Sequence, residues 1–561
     1  MLDILQKSRM NFKVNESATK LRGGYYTAPD IATFLLKWVL GIHPKSILEP
    51  SCGDGVFLRS LSKLSTNGLK SIKAFEIEPA EAGKAKLSAS EFKKADVEVA
   101  TRDFLGWSLT RLLNPPQFDA VVGNPPFIRY QYLGSDLQGI SEHIFKVFHL
   151  PFTKHTNAWV PFVISSLALL RPGGRLAMVV PSELLHVLHA ESLRLYLTKV
   201  CSRVLIFDPQ ELWFEGTLQG AILLLAEKKD SPEEHFKGIS IIPTRSKDFL
   251  SENPEDYFEK AKYTNGETVK GKWMLALLTS AEREILSKAK ANSGVYRFDD
   301  IADVAVGIVT GANDFFLVPD SIVNQYSLKK WAHPMFGRSD HVPGVVFDDN
   351  AIIRNKELGV PTNFIWFSDE KISSLPDDVK TYIKLGEKGG LHKRYKCRIR
   401  EPWFSVPSVY ATTIGMPKRS HNFPRLVFNK AQAYTTDTTY RVRHKKFDEP
   451  TLVYSFVNSL TALTAEVEGR HYGGGVLELV PSEIRKLLIP IRKSSEKAVY
   501  DLNALMQKGI NPEALLTLQN EKTLTPLGFS SQDSNLLLEA WSRLRLRRQR
   551  QDPKEAVEEE D

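Results

Sequence analysis

The chain has 561 residues, more than one hydrophobic core usually serves, so roughly two to four domains are expected. Hydrophobic residues make up 42% and charged residues 25%, an ordinary globular composition that argues against long disorder away from the ends. The net charge of +8 permits a polyanionic partner without requiring one.

Composition also argues against several classes of protein. No apolar stretch approaches the roughly 20 residues that a membrane span needs, and residues 1–10 lack the apolar core of a signal peptide. We therefore expect a cytoplasmic protein that does not enter a membrane. The cysteines Cys52, Cys201 and Cys397 are too few and too scattered for a disulfide framework or a zinc site, so no metal is expected.

The first predicted element is a helix that begins just after Tyr26 and Thr27. Apolar residues recur at helical spacing from 31 to 39, behind Pro29 and before Gly41. A short apolar strand over 46–49 follows, and it runs into the turn PSCGDG and a helix over 57–64. Strand, glycine turn and helix form the arrangement in which a backbone closely approaches a bound nucleotide. The third glycine of a dinucleotide fingerprint is missing, which argues against nicotinamide and flavin cofactors.

Two further strands end in acidic residues. The strand over 71–75 leads to Glu76, about 20 residues past the glycine turn, a position suited to accept hydrogen bonds from ribose hydroxyls. A helix cap is the alternative role for this carboxylate. The strand over 97–100 leads to Asp103 and Phe104, an acceptor for an adenine amine and a ring to lie against it, although a solvated loop aspartate is the alternative.

The tetrapeptide Asn124-Pro125-Pro126-Phe127 closes a buried strand over 118–123. Two prolines cannot donate to a sheet ladder, so the strand ends there and exposes Asn124 at its carboxyl end, where open α/β sheets bind ligands. A side-chain amide, a proline carbonyl and an aromatic ring suit a planar base with an exocyclic amine. The alternative is a rigid turn with a core phenylalanine behind it.

Strands and helices continue to alternate as far as residue 226. The stretch from 128 to 155 is polar, aromatic and poorly periodic, so a loop is expected there. A buried helix over 159–170, a strand over 176–180, a helix over 184–197 and strands over 203–207 and 221–226 follow. This alternation predicts an α/β fold with a doubly wound sheet.

Taken in order, the segments YYTAP, ILEPSCGDGVFL, FEIEP, RDF, NPPF, RPGGRLAMVVP and WFEGTLQGAILLL resemble the motifs of S-adenosylmethionine-dependent DNA methyltransferases. With the cofactor half before NPPF and a large domain after it, the order is similar to that of the gamma class of N6-adenine enzymes, the TaqI-like group of restriction-modification systems. The resemblance implies a Rossmann-like S-adenosyl-L-methionine methyltransferase domain followed by an α+β target-recognition domain.

The resemblance also implies roles for individual residues. The residues that would contact the cofactor are Tyr26, Thr27, Glu49, Pro50, Ser51 and Gly53 at its methionine part, Glu76 and Ile77 at its ribose, Asp103 and Phe104 at its adenine, and Asn124 beside it. Asn124 and the Pro125 carbonyl would accept the hydrogens of the target amine, with Pro126 completing the motif. Phe127 and Phe214 would stack on the flipped base. Ala28, where a proline is common, and Cys52 are mild departures from the family pattern.

Four parts of the chain are expected. Residues 1–230 would be the catalytic domain, 231–270 a proline-interrupted connection, 271–530 the DNA target-recognition domain, and 531–561 a charged helix and tail. Segments over 307–316 and 473–490 look like ones common in target-recognition domains. Basic residues interleaved with aromatics in the third part suit phosphate and base contacts, although a solvated face is the alternative. The DNA-binding candidates are Lys393, Arg394, Lys396, Arg398, Arg400, Arg441 and Arg443.

The sequence thus predicts a monomeric, sequence-specific enzyme that methylates N6 of an adenine flipped out of double-stranded DNA and protects host DNA. A cognate restriction endonuclease acting on the same site is left open as a partner. The alternatives are an RNA or protein-glutamine methyltransferase and a catalytically idle DNA-binding specificity subunit. Transfer to cytosine N4 is a further alternative, because that amine is chemically similar.

Overall fold

The computed structural model describes residues 26–210, 220–368, 370–472 and 474–550. The chain divides into two compact units, an N-terminal unit of residues 1–278 with 550–561 and a C-terminal unit of residues 279–549. Within the described ranges, no helix is both long enough and apolar enough to cross a bilayer.

The N-terminal unit is built on one eight-stranded sheet in the order β3-β2-β1-β4-β5-β7-β6-β8. Its strands are β1 Ser46–Glu49, β2 Ser71–Glu76, β3 Asp96–Thr101, β4 Phe118–Gly123, β5 Leu170–Pro181, β6 Cys201–Pro209, β7 Ala221–Lys228 and β8 Gly238–Thr244. The first five strands run parallel, whereas β7 pairs antiparallel with both β5 and β6. This arrangement confirms the predicted α/β sheet.

Helices accompany these strands along the chain. They are α1 Pro29–Leu40, α2 Val56–Ser62, α3 Pro79–Glu91, α4 Phe104–Leu109, α5 Ser135–Val147, α6 Trp159–Leu169, α7 Glu191–Val200 and α8 Pro254–Lys260. Helix α1 begins at Pro29, ends before Gly41 and buries Phe34 and Trp38 in the core, as its spacing predicts. Helix α5 lies where a loop was expected, so that prediction was wrong.

The strand order places a crevice at the centre of the sheet. The chain runs outward from β1 to β2 and β3, then returns to the other side of β1 with β4, and Ile47 of β1 pairs with both Ile72 and Ala120. Such a reversal opens a crevice at the carboxyl ends of the strands, where α/β proteins bind ligands. The glycine turn and Asn124 follow strands at this edge, and Glu76 is the last residue of β2.

The stretch expected as a connection belongs to the N-terminal unit, whose boundary lies at 278 rather than 230. Strand β8 pairs in parallel with β6 at the sheet edge, and α8 buries Phe258 against Trp38, with ring centroids 4.8 Å apart. The prolines do not interrupt these elements, because Pro254 occupies the first turn of α8 and Pro243 lies on an edge strand, positions that tolerate proline.

The C-terminal unit mixes short strands with helices, as the α+β prediction requires. Its sheets have the orders β10-β19-β15-β17-β13, β11-β14-β12-β18, β16-β21-β20 and β22-β9. The strands are β9 Val295–Arg297, β10 Ala302–Ala305, β11 Leu317–Val318, β12 Ala332–Phe336, β13 Val346–Phe347, β14 Asn363–Ile365, β15 Ile414–Pro417, β16 Arg419–Ser420, β17 Val427–Asn429, β18 Tyr434–Thr435, β19 Thr439–His444, β20 Arg470–Tyr472, β21 Val476–Glu478 and β22 Leu488–Pro490. The helices are α9 Ser280–Ala291, α10 Phe298–Ile301, α11 Asn313–Phe316, α12 Asp320–Gln325, α13 Asp349–Glu357, α14 Asp377–Lys388, α15 Tyr395–Arg398, α16 Glu449–Ser455, α17 Ser459–Glu468, α18 Pro481–Ile484, α19 Glu496–Gln507, α20 Pro512–Thr523 and α21 Ser531–Gln549.

Helix α21 is part of the core of the C-terminal unit rather than a solvated charged helix. Leu537 and Trp541 are fully buried. Arg548 is buried too, and its Nη2 lies 2.7 Å from Oε1 of the equally buried Glu466 on α17. The arginine-rich composition hid this role, because a buried ion pair and a solvated charge look alike in a sequence.

Candidate active site

A cavity of about 480 Å³ opens at the carboxyl ends of β1, β2 and β4. The residues predicted from the sequence that line it are Tyr26, Thr27, Pro50, Ser51, Gly53, Glu76, Ile77, Asp103, Phe104, Asn124 and Pro126. These side chains come from segments spread over about 100 residues. The fold therefore brings most of the predicted site to one crevice.

Four of the predicted residues stand apart from this lining. Glu49 and Pro125 are buried next to residues that do line the cavity. Phe127 is half-buried and packs against the core of the N-terminal unit. Phe214 lies outside the described residues, so its predicted stacking role stays a prediction.

The glycine turn has a backbone that ordinary residues rarely adopt. Gly53 and Gly55 have φ angles of +52° and +87°. A Cβ on Gly55 would lie 3.0 Å from the Cα of Ala85, so the turn packs directly against α3. Cys52 donates its backbone N–H to the carbonyl of Phe75 over 2.8 Å, which ties the turn to β2.

Glu76 joins the turn to the end of β2. Its Oε2 accepts the backbone N–H of Gly53 over 2.9 Å, and its Oε1 accepts that of Glu78 over 2.8 Å. The carboxylate is thereby fixed at the rim of the cavity. Each carboxylate oxygen has more than one lone pair, so these bonds leave acceptor capacity for a hydroxyl group.

Glu49 is a carboxyl group buried at the end of β1, where only 1% of the residue is exposed. Burial, with the nearby charges of Asp54 and Glu76, raises its pKa well above the ordinary value. Its Oε1 has no hydrogen-bond partner among the described residues. A buried acceptor without a partner is unfavourable by itself, and a cationic ligand group would relieve that.

Asp103 caps helix α4. Its carboxylate accepts the backbone N–H groups of Leu105 and Gly106 over 3.1 and 2.5 Å, which is N-capping rather than the solvated loop position considered as its alternative. Phe104 is fully buried, and its ring centroid lies 5.4 Å from that of Phe162. Capping fixes the carboxylate at the cavity without using all its lone pairs.

Asn124 connects three segments at the crevice. Its Nδ2 donates to the hydroxyl of Thr27, just before α1, over 3.1 Å. Its backbone carbonyl accepts the hydroxyl of Ser51, in the glycine turn, over 2.9 Å. The amide at the end of β4 is therefore held by the same residues that border the cavity.

The sequence did not single out the apolar wall of the cavity. This wall comes from the segment between NPPF and the end of α6, and it consists of Ile128, Tyr132, Leu133, Leu137, Ala158 and Phe162. The spacing of Leu133, Leu137 and Ile144, four and seven residues apart, was a helical signal in a stretch interpreted as a loop.

Two family models match successive parts of the chain. The model described as Eco57I restriction-modification methylase matches residues 53–211, and the one described as the C-terminal domain of the type II methyltransferase M.Eco57I matches residues 270–524. The chain belongs to this family of restriction-modification DNA methyltransferases. The resemblance to gamma-class enzymes of type II systems is thereby confirmed.

The individual matches include methyltransferases and a restriction-modification enzyme. The type II methyltransferase M.AccI of Acinetobacter calcoaceticus is 23% identical over 480 residues, which cover 82% of this chain and 84% of that protein. The tRNA1(Val) (adenine(37)-N6)-methyltransferase of Porphyromonas gingivalis is 30% identical over 158 residues, 28% of this chain and 55% of that protein. The structure of the type IIL restriction-modification enzyme MmeI in complex with DNA matches with a TM-score of 0.53 and 15% identity, covering 92% of this chain and 72% of that one, and it supports the fold.

The basic residues predicted from the sequence to bind DNA fall into two groups. Lys393, Lys396 and Arg398 are exposed, and Arg443 is exposed beside Asp303, its partner at 3.0 Å. The other three donate to backbone carbonyls. Arg394 donates to Gly311, and Arg400 donates to Val309 and Thr310. Arg441 donates to Val306 and Ser408.

Proposed function

We propose that the protein transfers a methyl group from S-adenosyl-L-methionine to N6 of an adenine flipped out of double-stranded DNA, and that it protects host DNA in a restriction-modification system. The observation that carries this proposal is the position of Asn124. Its amide lies at the end of β4, is bonded to Thr27 and borders the cavity that β1 and β2 also reach. An amine held by Asn124 would lie next to a ligand in that cavity.

The cavity fits S-adenosyl-L-methionine, which supplies a methyl group on a positively charged sulfonium. A buried carboxylate such as Glu49, with an oxygen that lacks a partner among the described residues, suits the ammonium of a methionine moiety. The apolar wall suits a ring. We assign the methionine moiety to Tyr26, Thr27, Glu49, Pro50, Ser51 and Gly53, the ribose to Glu76 and Ile77, and the adenine to Asp103 and Phe104.

Asn124 and the carbonyl of Pro125 would act on the amine of the target base. The lone pair of an adenine amine is delocalised into the ring, which makes it a poor nucleophile. Two acceptors that hold the amine hydrogens localise the lone pair and stabilise the positive charge that grows on nitrogen during attack. Since the amine is neutral before attack, no base has to remove a proton first.

Aromatic residues would hold the base outside the helix. Rotating a base out of a duplex costs a few kcal/mol. Stacking on an aromatic side chain contributes about 1–3 kcal/mol per base, so Phe127, with Phe214 on the other side, would offset much of this. Pro126 borders the cavity between Asn124 and Phe127 and would contact the same base.

Two findings support adenine in DNA over the alternatives. A relative named for transfer to adenine N6 favours adenine over cytosine. That relative acts on tRNA, but residues 270–524 match the C-terminal domain of a type II methyltransferase, which favours DNA over RNA or a protein glutamine. The set of groups around Asn124 disfavours a catalytically idle specificity subunit.

The exposed cations of the C-terminal unit would contact DNA phosphates. We assign this role to Lys393, Lys396, Arg398 and Arg443, because Arg394, Arg400 and Arg441 donate to backbone carbonyls. The enzyme would act as a monomer in the cytoplasm, where chromosomal DNA is accessible. A restriction endonuclease that cuts the same site would be its partner in the system rather than a subunit.

Expression in a host without DNA methylation tests the proposal. Sequencing of the host genome should find N6-methyladenine at one short motif, and a strain with Asn124→Ala, expressed to the same level, should have none. Modified cytosines, or modified adenines that persist with Asn124→Ala, would contradict the proposal.

A further inference from the structure

Residues 306–311 of the C-terminal unit form a loop that carries both exposed and buried side chains. Ile308 and Thr310 are buried, whereas Val306 and Val309 are exposed. The buried side chains of Ile308 and Thr310 anchor the backbone of the loop, so its exposed apolar side chains are presented in a defined orientation. We call residues 306–311 the presenting loop.

Two glycines let neighbouring segments close on the presenting loop. A Cβ on Gly307 would lie 2.0 Å from the backbone oxygen of Thr436, which no other residue could tolerate. Gly311 has φ +82°, and a Cβ there would lie 2.7 Å from the Cβ of Lys396. The loop is therefore packed against the 436–439 turn on one side and against α15 on the other.

Two arginines secure the same loop through its carbonyl groups. Arg400 donates Nη1 to Thr310 over 2.7 Å and Nη2 to Val309 over 2.6 Å. Arg441 donates Nε and Nη2 to Val306 over 3.1 and 2.7 Å. Both residues were candidates for phosphate binding, but their guanidinium groups position backbone instead.

The segments attached by these arginines carry further exposed apolar side chains. Tyr395 and Ile399 are 62% and 60% exposed, and they are four residues apart at α15, a spacing that places side chains on one face. On the other side, the guanidinium of Arg441 lies 3.7 Å from the ring centre of Tyr410, which is also exposed. We define the apolar strip as Val306, Val309, Tyr395, Ile399 and Tyr410.

Three cationic side chains at or just before α15 lie close in sequence to Tyr395 and Ile399 of the apolar strip. The charged groups of Lys396 and Arg398 each lie 5.6 Å from the ring centre of Tyr395. Lys393 is exposed just before α15. Within the described part of the chain, none of these three cations forms a salt bridge, so their charge is not neutralised by the protein itself.

We propose that the apolar strip contacts base edges in a groove of double-stranded DNA, while Lys393, Lys396 and Arg398 bind the phosphates beside that groove. A DNA groove is the complement of this surface, because its walls are anionic and its floor carries apolar groups such as the thymine methyl. The strip would thus read sequence, and the cations would supply affinity that does not depend on sequence. This inference rests on the proposed function, since it assumes that DNA is the substrate.

The test compares binding to two duplexes, one containing the motif that the wild-type enzyme methylates and one with that motif scrambled, over a range of salt concentrations. Tyr395→Ala and Ile399→Ala should each reduce the ratio of the two affinities about tenfold or more and leave the salt dependence unchanged. Lys396→Ala and Arg398→Ala should each lower the slope of log affinity against log salt by about one and preserve the ratio. Ile353→Ala, at an exposed apolar residue on α13 of the same unit, is the matched control and should change neither.

Variants are compared only when they melt at the wild-type temperature. An affinity ratio that survives both Tyr395→Ala and Ile399→Ala would overturn the inference, and so would an equal loss on both duplexes. Failure of the proposed function is distinguishable, because it would be seen as the absence of N6-methyladenine in DNA treated with the wild-type enzyme.

Discussion

The side-chain Nδ2 of Asn124 donates to the hydroxyl of Thr27 over 3.1 Å, although 97 residues separate the two in the chain. Because its nitrogen is engaged there, the amide has its carbonyl oxygen on the side away from Thr27. Thr27 itself is buried at the entrance of α1, so the orientation of the amide is set by a packed element. A residue that lines the cavity thereby positions the group proposed to hold the target amine.

Replacing Thr27 by valine should impair turnover more than binding. Valine keeps the size of threonine but removes the hydroxyl, so we expect kcat to fall about tenfold, equivalent to about 1.4 kcal/mol. The KM for S-adenosyl-L-methionine should rise by a smaller factor, because Thr27 is also assigned to the methionine moiety. Steady-state kinetics check this. Thr27→Ser retains the hydroxyl and should restore most of kcat; equal impairment of the serine and valine variants would show that the hydroxyl does not position Asn124.

Glu49→Gln should make the protein more stable and bind the cofactor more weakly. Burial raises the pKa of Glu49, so above its ordinary pKa the folded state binds a proton that the unfolded chain has released. Stability is therefore greatest below the ordinary pKa and falls as pH rises toward the raised value.

Thermal melting without cofactor measures the first effect. The variant should melt higher than the wild type at about pH 8, with a smaller difference at about pH 5. Calorimetric titration should show weaker binding of S-adenosyl-L-methionine by the variant. Unchanged cofactor affinity would remove Glu49 from the proposed site, whatever the melting curves show.

Phe127 should matter most when the target base has to be extruded from a paired duplex. Phe127→Ala should lose about tenfold or more in kcat/KM, since stacking contributes about 1–3 kcal/mol, whereas Phe127→Trp should retain most activity. Because Phe127 also packs against the core, activity alone would not separate stacking from folding.

A mismatched substrate separates the two roles of Phe127. A mismatch opposite the target adenine lowers the cost of extrusion, so it should recover part of the rate lost by Phe127→Ala. The measurement is the ratio of kcat/KM on mismatched and paired duplexes for the wild type and both variants. A defect of the same size on both duplexes would indicate a structural role only.

Removing the carboxylate of Glu466 should strongly destabilise the C-terminal unit. Its partner Arg548 is fully buried, and breaking a buried ion pair from one side costs about 3–5 kcal/mol. Glu466→Ala should therefore lower the free energy of unfolding by about that amount in denaturant titrations. Asp256→Ala breaks the exposed pair with Lys260 and should change it by less than about 1 kcal/mol, so similar effects of the two substitutions would refute the proposed importance of α21.

The parts of the fold that the sequence predicts are those set by local signals. The spacing of apolar residues with Pro29 and Gly41 predicts α1, and two prolines after an apolar run predict the end of β4. The same signals assemble most of the cavity, because most predicted residues end or follow a strand and parallel strands end at one edge, whereas Tyr26 and Thr27 lie just before α1. The role proposed for Asn124 follows from its residue type and its position at the end of β4.

Contacts between distant residues account for what the sequence did not predict. Nothing local shows that Arg441 donates to Val306, so a residue that positions backbone was interpreted as a phosphate contact. The prolines of residues 231–270 were interpreted as a connection between domains. The structure instead has β8 there, which extends the sheet, and as an edge strand it tolerates proline. Glu466, the buried partner of Arg548, likewise lies 82 residues away from it in the sequence.

The identity of the modified nucleoside tests the central claim most directly. Purified enzyme, S-adenosyl-L-methionine and duplex DNA containing the motif are incubated. The DNA is then digested to nucleosides, which are separated and identified by mass spectrometry. We predict N6-methyldeoxyadenosine from the wild type and none from Asn124→Ala, although that variant still binds cofactor and DNA. N4-methyldeoxycytidine as the product, or wild-type levels of N6-methyldeoxyadenosine from Asn124→Ala, would contradict the account.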